Sequence, residues 1–283
     1  MLHGIGLGLR QPLARALFAE PPPALRWLEL HPENYLGRGG LYASLLAEAR
    51  ERWPLVTHGL SMGFGALAPY DPSALDALAR FVGALGCPWH SDHLCFASVD
   101  GVYLHDLLPL PRTEEALDVC VRRIGEMSAA LPVPVALEPI SYYAEPPCAD
   151  AALDEAAFVR EVLERADARL LLDVNNVLVN AENHGYDPRA FIDRLPLERV
   201  VQLHVAGHHV RADGMRIDTH AAPICDEVYA LFAYTMERLA RPVPVLLERD
   251  DAFPPFAELA AEIARLDAIY REALARVGAE HVA

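Results

Sequence analysis

The sequence predicts an α/β fold, a single-domain TIM (β/α)8 barrel over residues 1–283. Three observations carry this expectation. Short β-rich runs alternate with helical periodicity along the chain, and there are eight such runs, the number a closed barrel of this kind requires. The runs are continuously apolar rather than alternating, which marks strands buried on both faces, as in a parallel sheet ringed by helices. The length of 283 residues also suits a fold that takes about 250.

The first three runs are GIGLGL (4–9), WLELH (27–31) and LVTHGL (55–60). SALDALARFVGALG then carries apolar residues at helical spacing and opens on a serine suited to an N-cap. Gly86 and Pro88 turn the chain into WHSDHLCF (89–96). TEEALDVCVRRIGEMSAAL opens on a capping threonine, and Pro132 and Pro134 mark the turn into VPVALEPI (133–140). DEAAFVREVLERAD opens on a capping aspartate and leads to LLLDVNNVLV (170–179), then VVQLHVA (200–206). DEVYALFAYTMERLA is the next amphipathic stretch, Pro242 and Pro244 mark the turn into VPVLLER (243–249), and a helix over about 256–276 closes the ring. No linker, low-complexity tract or repeat beyond the βα unit interrupts this order, so one domain is expected.

Composition narrows the partners. At 53% hydrophobic residues the chain can bury a large core. The net charge of −16 leaves no basic surface for a phosphate backbone, so no nucleic acid is expected. MLHGIGLGLR lacks an apolar signal region, and no stretch approaches the roughly 20 apolar residues of a membrane span, so the expectation is a cytoplasmic protein with no membrane partner. Cys87, Cys95, Cys120, Cys148 and Cys225 are odd in number and form no CxxC pair, which argues against a disulfide framework. Cys95, two residues beyond His93, reads as a small buried hydrophobe.

Seven apolar runs end in a side chain that binds metals: His58, His93, Glu138, Asp173 with Asn176, His204, His220 after Asp218, and Glu248. A barrel gathers the carboxyl ends of its strands around one point, so residues this far apart in sequence can meet. One such histidine would read as a satisfied core residue, but the repetition weakens that reading at each strand. Several buried carboxylates and imidazoles need neutralising, and metal cations do so most directly. Imidazole and carboxylate without thiolate suit iron, manganese or zinc, with iron or manganese ahead. Nine ligands are too many for one ion and fit two or three. Glu138 or Glu248 can bridge two ions, and Asp173 and Asn176 can address neighbouring ions where a strand becomes a loop. Asp218 and His220, two apart in an extended loop, would point the same way. His58, His93, Glu138, His204 and Glu248 are expected to be catalytic as well.

Other residues take supporting roles. Glu29, His31, Glu33, Asn34 and Tyr35 follow the second run, where they form a substrate shelf or, preferably, orient the ligands from behind. His90 is expected to support His93 by hydrogen bonding, with Asp92 on the opposite face. His184 divides between ligand and loop exit, and His208 and His209 read as a solvated loop. Arg249 would hold a peptide or substrate carboxylate, or form a surface ion pair beside Asp250 and Asp251.

Taken together, GIGLGLR, LELHPENY, HGLSMGFG, SDHLCF, LEPISYY, LLLDVNNVLVNAENHGYDP, QLHVAGH, IDTHAAPICDEV and LLERDDAFPP resemble the multinuclear non-heme iron-dependent oxidative enzymes (MNIO), which include the oxidase subunit of methanobactin biosynthesis. The resemblance runs in unbroken order from about residue 3 to residue 260. It implies a TIM barrel holding two or three irons in mixed ferrous and ferric states, with dioxygen as oxidant. The implied substrate is a cysteine-containing, ribosomally made precursor peptide, presented by a separate leader-binding partner protein. The implied ligands are His58, His93, Glu138, Asp173, Asn176, His204, Asp218, His220 and Glu248. Two other readings stand beside it: a divalent-metal (zinc or manganese) barrel hydrolase or isomerase, and a non-catalytic metal-dependent peptide-binding protein.

Overall fold

The computed structural model describes residues 2–99, 102–146 and 153–280, so that Cys148 lies outside the described residues. Its strands are β1 (Gly4–Gly8), β2 (Leu25–Leu30), β3 (Leu55–His58), β4 (His90–Leu94), β5 (Phe96–Val99), β6 (Val102–Leu108), β7 (Val135–Pro139), β8 (Arg169–Asp173), β9 (Val200–Val205), β10 (His209–Val210), β11 (Arg216–Ile217) and β12 (Pro244–Leu247). Eight of them are hydrogen-bonded into a closed barrel in the order β1-β12-β9-β8-β7-β4-β3-β2, the architecture the sequence predicts. The helices are α1 (Gln11–Ala19), α2 (Gly40–Arg52), α3 (Pro72–Leu85), α4 (Glu114–Ala130), α5 (Glu155–Arg165), α6 (Val174–His184), α7 (Pro188–Arg194), α8 (Asp226–Leu239) and α9 (Phe256–Glu280). Among the described residues no helix is long and apolar enough to cross a membrane.

By packing, the chain forms two compact units: Met1–Glu29 with Leu172–Asp193 and Val200–Ala283, and Leu30–Leu171 with Arg194–Arg199. In the first unit β12 runs parallel between β1 and β9, with Leu246 beside Gly6 on one side and beside His204 on the other. Ile5, Leu7, Leu203, Val205, Val245 and Leu247 are buried in it. Gly6 has no alternative here, because a Cβ would stand 2.4 Å from the Trp27 ring. The Trp27 indole in turn donates to the Gly4 carbonyl at 3.0 Å.

In the second unit β4 pairs in parallel with β3 and β7, which sets His58 beside Ser91 and His93 beside Glu138. Thr113 and Asp154 cap α4 and α5 as the sequence predicts, accepting from the backbone N–H groups of Ala116 and Ala157. The cap of α3 falls on Asp71 instead of Ser73, since Pro72 occupies the first helical position, where its missing N–H costs nothing. Gly86 ends α3 in the left-handed conformation at φ 67°.

Three sequence expectations are corrected. The run 170–179 is a strand only to Asp173, because the Asp173 carboxylate accepts from the Asn176 N–H at 2.9 Å and starts α6. VNNVLVN is apolar enough for either element, and the cap decides. The run 89–96 stops at Leu94, and Phe96–Val99 pairs instead with Val102–Leu108 as an antiparallel hairpin. The Asp-Gly pair at 100–101 was the available hairpin signal. Finally, α9 continues to Glu280.

Candidate metal centre

In the second unit, three strands place three ligand atoms together. His58 ends β3, and His93 and Glu138 each lie one residue before the ends of β4 and β7. His58 Nε2 is 3.2 Å from Glu138 Oε2, His93 Nε2 is 3.6 Å from the same oxygen, and the two nitrogens are 3.3 Å apart. All three residues are buried. His58 Nδ1 meets Ser91 Oγ at 2.9 Å, so the hydroxyl holds the ring by its far side. His90, expected to support His93, has its Nδ1 3.1 Å from Thr57 Oγ1, while the parallel register, which sequence alone does not show, puts Ser91 beside His58. Asp92 accepts from the His93 N–H at 2.7 Å and the Met62 N–H at 3.1 Å, binding the loop after β3 to the end of β4. Glu33 does similar work on that loop, accepting from the N–H groups of Leu60 (2.8 Å) and Ser61 (3.1 Å). His31 Nδ1 lies 2.9 Å from the His58 carbonyl oxygen. Both contacts reach backbone, the loop after β3 and the His58 carbonyl, from the segment after β2.

The first unit gathers a second set. Asp173 ends β8 with one oxygen engaged as the α6 cap, while its other oxygen is buried with no hydrogen-bond partner. Burial, and then the neighbouring Asp218 carboxylate, push its pKa up to about 6. His220 Nε2 lies 2.8 Å from Asp218 Oδ1, and its Nδ1 lies 3.0 Å from Asp250 Oδ2 and 3.6 Å from Glu248 Oε2. Asp218 and His220 do meet, but not through extended chain, because His220 is left-handed at φ 49°. His204 Nδ1 is 3.0 Å from Glu248 Oε2 and its Nε2 is 3.1 Å from Glu29 Oε2. Gln202 donates to that same Glu29 oxygen at 2.5 Å. Burial opposes ionisation of Glu248, yet the positive charge of His220 and His204 outweighs it and brings the carboxyl down to about 2. His220 is held well above the ordinary imidazole range, burial being overcome by Asp218 and Glu248. Arg10 completes the balance, donating to Asp250 at 2.7 Å with its guanidinium 3.7 Å from Glu248. Asn176 is buried on the first turn of α6.

Within the single units, three groups therefore have ligand atoms within 4.8 Å of one another: His58, His93 and Glu138; Asp173, His220 and Glu248; and Glu29, His204 and Glu248. The donor set fits a metal. Asp173 and Glu29 each keep a buried carboxylate oxygen with no hydrogen-bond partner, a costly arrangement that a cation relieves. Among the described residues no cysteine joins these groups. Cys95 is fully buried among Ala97, Ile140 and Leu107, and burial holds its thiol well above its usual range.

Other expectations are revised. Arg249 is buried and donates to Glu262 of α9 at 2.9 Å, so it is neither a surface pair nor free to hold a peptide carboxylate. Side chains alternate along an extended chain, so Arg249 and Glu248 face opposite ways. His208 is buried rather than solvated, while His209 is exposed. His184 is half-buried in the last turn of α6. The double role of Asp173 gives a direct test. Asp173→Asn retains a good N-cap but loses the ligand charge, so it should melt near the wild type and bind less metal. Asp173→Ala should lose both, with about 1 kcal/mol less stability from the missing cap. Thermal melts and metal analysis of the two variants check this.

A family model described as RiPP precursor modification enzyme MbnB/TglH/ChrH matches residues 4–271. A UPF0276 protein of Pseudomonas aeruginosa (strain UCBPP-PA14) is 42% identical over 274 residues, covering 95% of this chain and 93% of its own length. Among solved structures, D-psicose 3-epimerase superposes with TM-score 0.57 at 12% identity, covering 96% of this chain and 97% of that one. L-ribulose 3-epimerase gives TM-score 0.58 at 14% identity, covering 100% and 98%. At such identities these two likenesses show the barrel fold alone.

Proposed function

The chain belongs to the family of RiPP precursor modification enzymes MbnB/TglH/ChrH, whose substrates are ribosomally synthesised peptides, and on that premise we propose that it is an iron-dependent oxidoreductase that oxidatively modifies cysteine residues of a precursor peptide. The observation that carries the reading is the set of imidazole–carboxylate groups at strand ends and the loop after β11, made without thiolate. Such donors suit iron more than an iron–sulfur or structural zinc site.

Nine residues, His58, His93 and Glu138 in one unit and Asp173, Asn176, His204, Asp218, His220 and Glu248 in the other, hold two or three ions in mixed ferrous and ferric states. When bound, iron supplies the redox chemistry that dioxygen needs and the Lewis acidity that lowers a cysteine thiol's pKa. The protein's own part is orientation. Ser91 holds the His58 ring, Glu29 and Gln202 hold His204, and Asp92 fixes the backbone at His93. His58, His93, Glu138, His204 and Glu248 are the residues we assign to catalysis through the metal. A separate protein presents the leader of the precursor, and the reaction takes place in the cytoplasm, where a ribosomal product is first met.

The test is co-expression of this chain with its precursor and leader-binding partner in air, followed by peptide mass analysis. A mass change confined to a cysteine, lost without dioxygen and lost when that cysteine is serine, supports the proposal. One tightly held zinc with no iron uptake, or an unmodified peptide despite full iron loading and partner binding, would sink it in favour of a hydrolase or a binding protein.

A further inference from the structure

Arg216, His208 and Asn175 form a line of polar side chains in the first unit that leads to Asp218, and none of the three belongs to the ligand set. Arg216 Nη1 is 2.8 Å from His208 Nε2, His208 Nδ1 is 2.8 Å from Asn175 Oδ1, and Asn175 Nδ2 is 2.7 Å from Asp218 Oδ1. Each link has one direction. A guanidinium can only donate, so His208 Nε2 must accept and the ring's proton sits on Nδ1. That N–H donates to Asn175 Oδ1, which turns the amide so that its NH2 donates to the Asp218 carboxylate. Burial, and then the charge of Arg216, lower the His208 pKa and favour the neutral ring that this pattern requires.

We propose that His208 and Asn175 are positioning residues for Asp218, and that Arg216 sets their hydrogen-bond direction from the half-buried end of the line. This rests on the reading of Asp218 as an iron ligand. The fold provides for it. β10 and β11 pair antiparallel, with His209 opposite Ile217 and Val210 opposite Arg216, which leaves Arg216 diagonally across from His208, within reach of its long side chain. Asn183 ties the Arg216 backbone to α6 through two hydrogen bonds, of 2.8 and 2.9 Å, and Asn175 lies on the first turn of the same helix. The segment carrying Asp218 is thus held to the helix that Asp173 caps. Without Arg216 the other His208 tautomer becomes available, the amide can reverse, and an oxygen would then face the Asp218 oxygen.

The experiment titrates the metal-free full chain with ferrous ion alone, anaerobically, reading bound iron, its dissociation constant and the Mössbauer spectrum, with a thermal melt of each variant. His208→Leu and Asn175→Leu should weaken the binding of one ion by about 10- to 100-fold, the usual cost of losing a group that orients a ligand. His208→Asn keeps an N–H where Nδ1 stood and should recover most of that affinity, which a loss of packing alone would not explain. Because His208 and Asn175 are buried and their variants can fail to fold, half-buried Arg216→Met serves as the second probe and should shift iron binding the same way. Wild-type affinity and spectrum in Arg216→Met, or equal losses in His208→Leu and His208→Asn, would overturn the proposal. A wild-type chain that takes up no ferrous ion would refute the iron reading itself and this inference with it.

Discussion

Glu248→Gln should leave a folded chain that holds little iron and does not modify peptide. The carboxylate lies 3.0 Å from His204 Nδ1 and 3.6 Å from His220 Nδ1, and it belongs to both candidate ligand groups of the first unit. Removing its charge therefore weakens two ion positions at once. Losing even a group behind a ligand costs about 10- to 100-fold in metal affinity, so losing this one should cost at least that much. Folding survives because Asp218 and Asp250 still face His220 at 2.8 and 3.0 Å, which leaves no unpaired buried imidazolium. Glu138→Gln should act similarly on the group of His58 and His93. Iron content, melting temperature and peptide mass measured together check both variants. Activity that survives both substitutions would show that the bridging assignment is wrong.

Gly207→Ala should unfold or severely loosen the first unit, although Gly207 is not itself a ligand. A Cβ there would lie 2.1 Å from the Ala222 carbonyl oxygen and 2.5 Å from that of Pro223, and backbone cannot yield as a flexible side chain does. The cost should be about 3 kcal/mol, at the upper end of ordinary overpacking. Any relief must come from moving the segment after His220, so iron binding should fall along with stability. Gly86→Ala is the contrasting control. Gly86 has positive φ, at 67°, but nothing lies within 4 Å of its Cβ position, so the cost should be about 1 kcal/mol with iron binding intact. Equal melting temperatures for Gly207→Ala and wild type would show that the close approach is not maintained in solution.

Much of the candidate site was legible because its ligands end apolar runs. His58, His93, Glu138, Asp173 and His204 all stand in the last two positions of a strand, and Glu248 directly follows one. Less legible were the groups that hold them. Ser91 reads as an unremarkable strand residue until parallel register places it beside His58. Glu29 reaches His204 across 175 positions of sequence, a separation at which no local pattern survives. His208 sits in a polar motif that resembles loop, and its burial comes from packing that the local sequence does not encode.

Arg249 shows the same division, since its charge suggested surface and only the position of α9, with Glu262, made it a buried pair. Local chemistry determined the βα alternation, the caps at Thr113 and Asp154 and the residue types at the strand ends, because each of these depends on neighbours within a few positions. Tertiary structure alone decided strand register, the turn of His220 into the left-handed region and the distant partners of Glu29 and Glu248. Those depend on which distant backbone lies within about 3 Å, the reach of a hydrogen bond.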